Sequence, residues 1–252
     1  MSKEAERRTK AQEARERANV AARRERMVRF IGGGVVGALV IGIIAVGYLG
    51  SRPADSPNVD GKIPAGLTED LSWVLNPDTT ATAEMVIWED FQCPGCAAFE
   101  AIYDASIKKL AADNIVKVLY RPTAFLDARL PGSHSSRGIS AWGCALEYGV
   151  GDKFHSTLFA AQPETEGVGW KDTDFHAIGM AAGLDKTLRD EFNNCVNDQR
   201  YIKWADDSTA LFQDAAVPGT PYISVNGTEI PDEVLKGGPA EFVKWATATA
   251  AA

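Results

Sequence analysis

Two cysteines separated by two residues, in Cys93-Pro94-Gly95-Cys96, are the side chains of this sequence best suited to chemistry. A C-x-x-C pair can supply half of a zinc site, close a structural disulfide or work as a thiol redox centre. Zinc sites of this type usually have a second ligand pair at similar spacing. The other two cysteines, Cys144 and Cys195, are isolated, and the chain has only 3 His, which disfavours zinc.

The motif lies where the periodicity of the sequence changes. Met85–Glu89 is a short apolar run typical of a strand, and apolar residues after the motif recur at helical spacing. A second apolar run, 115–120, predicts the next strand, ended by Arg121-Pro122. Strand, helix and strand in this order predict a βαβ unit with parallel strands. An inert structural disulfide would not explain why the motif lies at the junction of a strand and a helix, so this position favours a redox pair.

The start of the predicted helix gives the two sulfurs different environments. If Cys93 caps the helix and Pro94 takes its first position, the sulfur of Cys93 lies at the positive end of the helix dipole, among unpaired N–H groups. This position favours the thiolate, which is the form that attacks disulfides. We expect Cys93 to form the mixed disulfide with substrate, and Cys96, one turn further, to resolve it.

The remainder of the domain divides into a helical and a mixed part. Residues 133–213 contain several helical stripes and no good strand run. Asn226-Gly227 between two apolar runs predicts a β-hairpin, because both turn residues must accept positive φ. Pro239 opens a predicted final helix.

The N-terminal quarter of the chain has a different composition. Residues 1–29 hold ten Lys/Arg and five Glu, and residues 30–50 hold no charge. As a helix, the uncharged run would span roughly 30 Å, the thickness of the hydrocarbon core of a bilayer. We therefore predict a cytoplasmic basic segment (1–29), a single transmembrane helix (30–50), a linker (51–66) and an extracytoplasmic domain (67–252). A cleaved signal peptide is the alternative, but the run is longer than such segments and lacks an A-x-A-like cleavage site.

Charge and motif content exclude two classes of function. Of the 26 Lys/Arg and 34 Asp/Glu in the chain, residues 51–252 hold 16 and 29, and so acidic a domain argues against nucleic-acid binding. A serine hydrolase is not indicated, since no G-x-S-x-G motif accompanies the histidines. We interpret His134, His155 and His176 as surface or helix-packing residues.

The segments MVIWEDFQCPGCAAFE and, far downstream, VPGTPYISVNG together resemble the DsbA-like thiol:disulfide oxidoreductases of the thioredoxin superfamily. The resemblance spans residues 67–250 and implies an α/β thioredoxin-like fold with an all-helical domain inserted at about 133–213. It implies that Thr220-Pro221 is a cis-proline loop beside the active-site cysteines, in which Thr220 offers backbone hydrogen bonds to a bound peptide. It further implies no cofactor and a membrane partner of the DsbB or vitamin K epoxide reductase type that reoxidises the enzyme.

The chain departs from this family at one position near the motif. Many relatives have a buried acidic residue six positions before the first cysteine, where this chain has Ile87, whereas Asp90 matches the common D-F-x-C-P pattern. Alternation along the strand places Glu89 on the same face as Ile87. Glu89 is then either the proton acceptor for Cys96 or, as the simpler interpretation, a solvated strand end.

Cys144 and Cys195 lie in separate helical segments, and both could be plain core thiols. An oxidising compartment, and the second disulfide that a subset of membrane-anchored DsbA-like proteins has, favour a Cys144–Cys195 structural bridge. Closing this loop would stabilise the fold by about 4 kcal/mol in the chain-entropy model.

These observations predict an extracytoplasmic oxidoreductase that introduces disulfides into unfolded exported proteins. The alternatives are a reductase or isomerase acting through the same cysteines, and a non-catalytic anchored module that binds a peptide or a partner protein.

Overall fold

A computed structural model describes residues 61–252. The predicted basic segment (1–29), the predicted transmembrane helix (30–50) and residues 51–60 of the predicted linker lie outside the described residues. Within 61–252, every helix is too short or too polar to cross a bilayer.

A five-stranded mixed sheet forms the centre of the described domain. Its strands are β1 (Trp73–Val74), β2 (Glu84–Glu89), β3 (Lys117–Pro122), β4 (Tyr222–Val225) and β5 (Thr228–Glu229). In the order β1-β3-β2-β4-β5, only β2 and β3 are parallel neighbours. The predicted βαβ unit is therefore confirmed, as is the hairpin, whose turn residues Asn226 and Gly227 have φ of 50° and 77°.

The strand predicted at 115–120 begins two residues later and ends two residues later than expected. The N–H of Ile115 donates to the carbonyl of Leu110 at 3.0 Å and so belongs to the closure of the preceding helix. Asn114, at φ 54°, turns the chain at that point. The strand then runs to Pro122, which pairs with Glu89 at the active-site end of β2.

The helices form three groups. Helix α1 (Pro94–Ala112) follows the C-x-x-C motif. The helical block is α2 (His134–Glu147), α3 (Gly151–Ala160), α4 (Asp172–Ala181), α5 (Arg189–Asn197) and α6 (Ile202–Asp214). The C-terminal pair is α7 (Asp232–Gly237) and α8 (Pro239–Ala250). The thioredoxin-like fold with an inserted helical domain, expected at about 133–213, is thus present.

The sheet and the helical block share one continuous core. Trp142 of α2 lies 5.5 Å, ring to ring, from Trp73 of β1 and 5.0 Å from Trp204 of α6. It also contacts Phe91, two residues before Cys93, at 5.7 Å. Because core packing transmits displacements, the helical block helps to fix the position of the motif.

The end of the predicted linker contacts the domain. The backbone N–H of Lys62 donates to the carbonyl of Arg200 at 3.1 Å, and Pro64 is buried.

A disulfide joins Cys144 of α2 to Cys195 of α5, across a sequence separation of 51 residues. Both residues are fully buried within the helical block. The bridge links two helices of the insertion and leaves Cys93 and Cys96 as the free cysteines of the described residues.

Removing this bridge tests its contribution to stability. In a background of Cys93→Ser and Cys96→Ser, we expect Cys144→Ala with Cys195→Ala to lower the free energy of unfolding by about 4 kcal/mol, because the denatured chain regains the entropy of the open loop. Urea unfolding of the oxidised proteins measures the difference. Equal stability of the two proteins would contradict the expectation.

Candidate active site

The redox motif lies where β2 gives way to α1. Cys93 is the N-cap residue of α1 and Pro94 occupies the first turn, as predicted. The carbonyl of Cys93 accepts hydrogen bonds from the N–H groups of Cys96, at 3.1 Å, and Ala97, at 3.2 Å. Cys93 is 9% exposed and Cys96 is fully buried, so solvent reaches only the first sulfur.

The loop before β4 lies against this motif. The peptide bond between Thr220 and Pro221 is cis, and the Sγ of Cys93 lies 3.4 Å from the carbonyl oxygen of Thr220. Gly95 faces the same loop, since a Cβ added there would lie 3.3 Å from Cδ of Pro221 and 3.6 Å from the Cys93 sulfur. The antiparallel pairing of Trp88 with Tyr222 brings these segments together although they are far apart in sequence.

The pKa of Cys93 is lowered from 9.0 to about 7. The main cause is a hydrogen bond from the thiol of Cys96, to which the backbone N–H groups of Cys96 and Gly95 add, while burial opposes the change. A depressed pKa means that the thiolate stabilises the reduced fold fully above pH 9, and that this stabilisation is lost as the pH falls through about 7.

Cys96 has the opposite tendency. Burial raises its pKa well above the ordinary value, and the charges of Cys93 and Glu89 raise it further. Cys93 is therefore the sulfur that ionises first and Cys96 the sulfur that keeps its proton. The roles of nucleophile for Cys93 and resolving thiol for Cys96 remain predictions.

Glu89 is buried, at 5% exposure, so its interpretation as a solvated strand end is wrong. The end of β2 is covered by α3, whose His155 places Nε2 3.0 Å from a Glu89 carboxylate oxygen. The other ring nitrogen of His155 lies 3.9 Å from a carboxylate oxygen of Glu100, on α1. Burial raises the pKa of both carboxyl groups well above the ordinary range and lowers the pKa of the imidazole. A proton-accepting role for Glu89 remains a prediction.

These three groups contain the donor types of a metal site, with atoms within 4.8 Å of one another. Each ring nitrogen of His155, however, faces a different carboxylate, one at hydrogen-bond distance and one at 3.9 Å, so the imidazole lies between the two groups and does not chelate one ion with them.

The loop before Cys93 is held by two buried polar side chains. The carboxylate of Asp90 accepts hydrogen bonds from the N–H groups of Gln92, at 2.9 Å, and Leu126, at 3.1 Å, and from the hydroxyl of Ser135, at 2.5 Å. The pKa of Asp90 is raised to about 7, mainly because the carboxyl group is buried.

Gln162, just beyond α3, donates from Nε2 to the carbonyls of Phe91, at 2.7 Å, and Cys93, at 3.1 Å. The helical block thus holds the loop at Ser135 and at Gln162. Sequence reasoning missed Gln162, Glu100 and the role of His155. No local pattern marks them, since they are recognisable only by what they contact.

The sequence profile of a family described as thioredoxin matches residues 77–242, which is more than half of the chain. The chain belongs to the thioredoxin family. Curated proteins include no significant match to it.

Solved structures of thioredoxin-family proteins resemble the described domain. MdbA of Actinomyces oris, a thiol-disulfide oxidoreductase, is 22% identical with a TM-score of 0.65, over 75% of this chain and 90% of that one. Oxidised DsbA of Mycobacterium tuberculosis is 26% identical with a TM-score of 0.52, over 73% and 97%. The reduced form of DsbG of Mycobacterium tuberculosis, a disulfide bond oxidoreductase, is 27% identical with a TM-score of 0.52, over 68% and 85%.

At 22% identity, the similarity to MdbA shows a shared fold alone. DsbA and DsbG, at 26% and 27% identity, are similar to this chain in sequence as well. Together with the dithiol at the start of α1, they identify this thioredoxin-family protein as a protein disulfide oxidoreductase. A non-catalytic binding module is not what this site supports.

Alkylation tests the electrostatics of this dithiol. We expect one thiol of the reduced protein, Cys93, to react with iodoacetamide with a midpoint near pH 7, while Cys96 stays unmodified. Cys96→Ala should move the midpoint upward, because it removes the largest stabilising hydrogen bond to the thiolate. Mass spectrometry of quenched samples identifies the modified residue. A midpoint that Cys96→Ala leaves unchanged would contradict this account.

Proposed function

We propose that the protein introduces disulfide bonds into unfolded exported proteins, with Cys93 as the nucleophilic residue and Cys96 as the resolving residue. The observation that carries the oxidising direction is the buried Cys144–Cys195 disulfide in the same chain. Structural disulfides persist in oxidising compartments and are rare in the cytosol. In such a compartment the Cys93/Cys96 pair would be kept in its disulfide form between turnovers. The substrates with which this form reacts are proteins that carry free cysteines.

The reaction follows from thiol–disulfide exchange. A substrate thiolate attacks the sulfur of Cys93, the Cys93–Cys96 bond breaks, and Cys96 leaves as a thiolate that takes up a proton. A second substrate thiolate attacks the substrate sulfur of the mixed disulfide, and Cys93 leaves as its stabilised thiolate. The substrate loses two electrons and the enzyme gains them as the Cys93/Cys96 dithiol.

Turnover requires that the dithiol be reoxidised. By resemblance, the oxidant is a quinone-linked membrane protein of the DsbB or vitamin K epoxide reductase type. The apolar run 30–50 would tether the domain beside such a partner, with residues 1–29 in the cytoplasm and the catalytic domain in the bacterial envelope.

A reductase or isomerase on the same site is the second candidate. The pKa of Cys93, about 7, favours it, since this is the value of the reductant thioredoxin and lies well above the roughly 3.5 of the strong oxidant DsbA. The oxidising compartment that the Cys144–Cys195 disulfide indicates therefore favours an oxidase, whereas the pKa of Cys93 favours a reductase. The redox potential of Cys93/Cys96 decides between them.

The redox potential of Cys93/Cys96 is the direct test. We expect a potential above about −200 mV in glutathione buffers, whereas a value near −270 mV would indicate a reductase and refute the proposal. The lowered pKa of Cys93 also predicts how this potential depends on pH. Compared with a pair whose first thiol has a pKa of 9.0, the potential of Cys93/Cys96 should become more positive as the pH rises from 7 to 9, by an amount that approaches roughly 60 mV.

Fractionation tests the proposed placement. We expect the full-length protein to remain with membranes after a salt wash, because the uncharged run 30–50 is long enough to span the bilayer. Protease added outside intact spheroplasts should digest the domain and leave a short membrane-bound fragment. A chain that salt releases, or that protease reaches only after lysis, would contradict the anchor or its orientation.

A further inference from the structure

One face of α1 presents a polar or ionisable side chain at every fourth position, at Cys96, Glu100, Asp104 and Lys108. Four residues advance a helix by about 6 Å, and side chains at this spacing lie one above the next. Cys96 and Glu100 are buried. The side chains of Asp104 and Lys108 are 27% and 32% exposed. The row therefore runs from the resolving thiol to solvent.

Helix α3 lies along this row and supplies matching polar groups. The ammonium of Lys108 lies 2.9 Å from carboxylate oxygens of both Asp104 and Asp152, and 3.0 Å from the hydroxyl of Ser156. Ser156 follows His155, which lies between the two buried carboxyl groups. We call this set the polar seam: Glu89, Glu100, Asp104, Lys108, Asp152, His155 and Ser156.

The buried end of the polar seam is unusual for a helix interface. Oε1 of Glu89 and both carboxylate oxygens of Glu100 have no hydrogen-bond partner among residues 61–252. Burying an ionised carboxylate without a partner is strongly unfavourable, and apolar side chains would pack α1 on α3 without that penalty. Protonated carboxyl groups and a neutral imidazole each donate and accept, which is what the transfer of a proton requires.

The charged and titratable groups around this end come from four elements. They are Glu89 of β2, Tyr120 of β3, the residues of the α1 row together with Cys93 at its start, and Asp152 and His155 of α3. Burial raises the pKa of Glu89, Glu100 and Tyr120, so each of these groups keeps its proton to a higher pH than it would in water.

We propose that the polar seam is the path along which protons move between Cys96 and solvent during the redox cycle. The proposal deepens the function proposed above and rests on it only for thiol–disulfide exchange at Cys93 and Cys96. Glu100 and His155 do not touch the reacting sulfurs. They act through Glu89, by passing protons between it and the outer end of the seam at Asp104 and Asp152.

Each half of the cycle moves one proton along the seam. When substrate thiolate attacks Cys93 and the Cys93–Cys96 bond breaks, Glu89 gives its proton to the departing Cys96 thiolate. Glu89 is then reprotonated from solvent through His155 and Glu100. When the enzyme is reoxidised, Glu89 first releases its proton to solvent by the same route. Its carboxylate then takes the proton of the Cys96 thiol as that sulfur attacks the Cys93 sulfur of the mixed disulfide, whose other sulfur leaves as a thiolate.

The closing step of the reduced full-length protein, purified in detergent, tests this path. Oxidised glutathione is added, samples are quenched with acid, and mass spectrometry resolves the Cys93–glutathione mixed disulfide from the closed Cys93–Cys96 disulfide. Wild type is compared with Glu100→Gln, Glu100→Asp and Asp104→Asn across pH, in H₂O and in D₂O. Asp113→Asn is the matched control, since Lys109–Asp113 is an exposed i,i+4 pair of the same helix outside the seam.

We expect Glu100→Gln to slow closing by roughly tenfold or more at neutral pH, the lower range for removal of an acid–base group. Formation of the mixed disulfide should keep its rate and pH midpoint, because that step depends on the Cys93 thiolate. Glu100→Asp, which keeps a carboxyl group, should recover part of the rate. Asp104→Asn should slow closing less than Glu100→Gln, with a changed pH profile and D₂O effect.

Two results would overturn the path. One is closing at the wild-type rate in both Glu100→Gln and Asp104→Asn, which would mean that the proton leaves past Cys93. The other is a loss of stability in urea with an unchanged pH profile and D₂O effect, which would reveal a structural role alone. The redox potential decides the proposed function and the closing rate decides the path, so the two can fail separately.

Discussion

The hydrogen bond from the thiol of Cys96 to the sulfur of Cys93 is the interaction on which the site depends. It is the largest cause of the lowered pKa of Cys93, whereas burial is the largest cause of the raised pKa of Cys96 and this bond adds to it. The bond and the burial together shift the pKa values of two chemically identical side chains in opposite directions. It exists because Cys93 caps α1 while Cys96 lies within the first turn, buried beneath it. A thiolate in this position needs donors around it, and backbone N–H groups at the helix start supply them without further side chains.

The helical block does more than cover the sheet. It shares the core with the thioredoxin-like part through Trp142, and its polar side chains reach the active-site loop. Gln162 holds two carbonyls of that loop, and Ser135 holds the carboxylate of Asp90. Buried hydrogen bonds of this kind fix geometry because a broken one leaves a polar group without a partner. The insertion thus limits how far Cys93 can move during exchange.

The same block explains why Glu89 is buried. Period-two alternation places Glu89 on the same face as the buried Ile87, and α3 crosses over this strand end and supplies His155. The chain lacks an acidic residue at Ile87, and the carboxyl group whose charge acts on Cys96 is that of Glu89. On the proposed path, the groups that would carry the proton of the buried cysteine come from the sheet, α1 and the helical block. Apolar side chains would fill the interface between α1 and α3 at a lower free-energy cost than these ionisable groups. A proton path gives a functional reason for the presence of such groups there.

The sequence by itself determined the local features of this protein. The strand, the helix start at Cys93-Pro94 and the hairpin at Asn226-Gly227 follow from periodicity and from the backbone preferences of Pro, Asn and Gly, which act over a few residues. The limits of β3 were missed by two residues, because Ile115 completes the closure of α1 instead of entering the sheet. Only the tertiary structure decided the burial of Glu89, its pairing with His155, and the contacts of Gln162 with residues some 70 positions earlier. Such contacts depend on how α3 lies against the sheet and α1, which is a property of the packed core and of no short stretch of sequence.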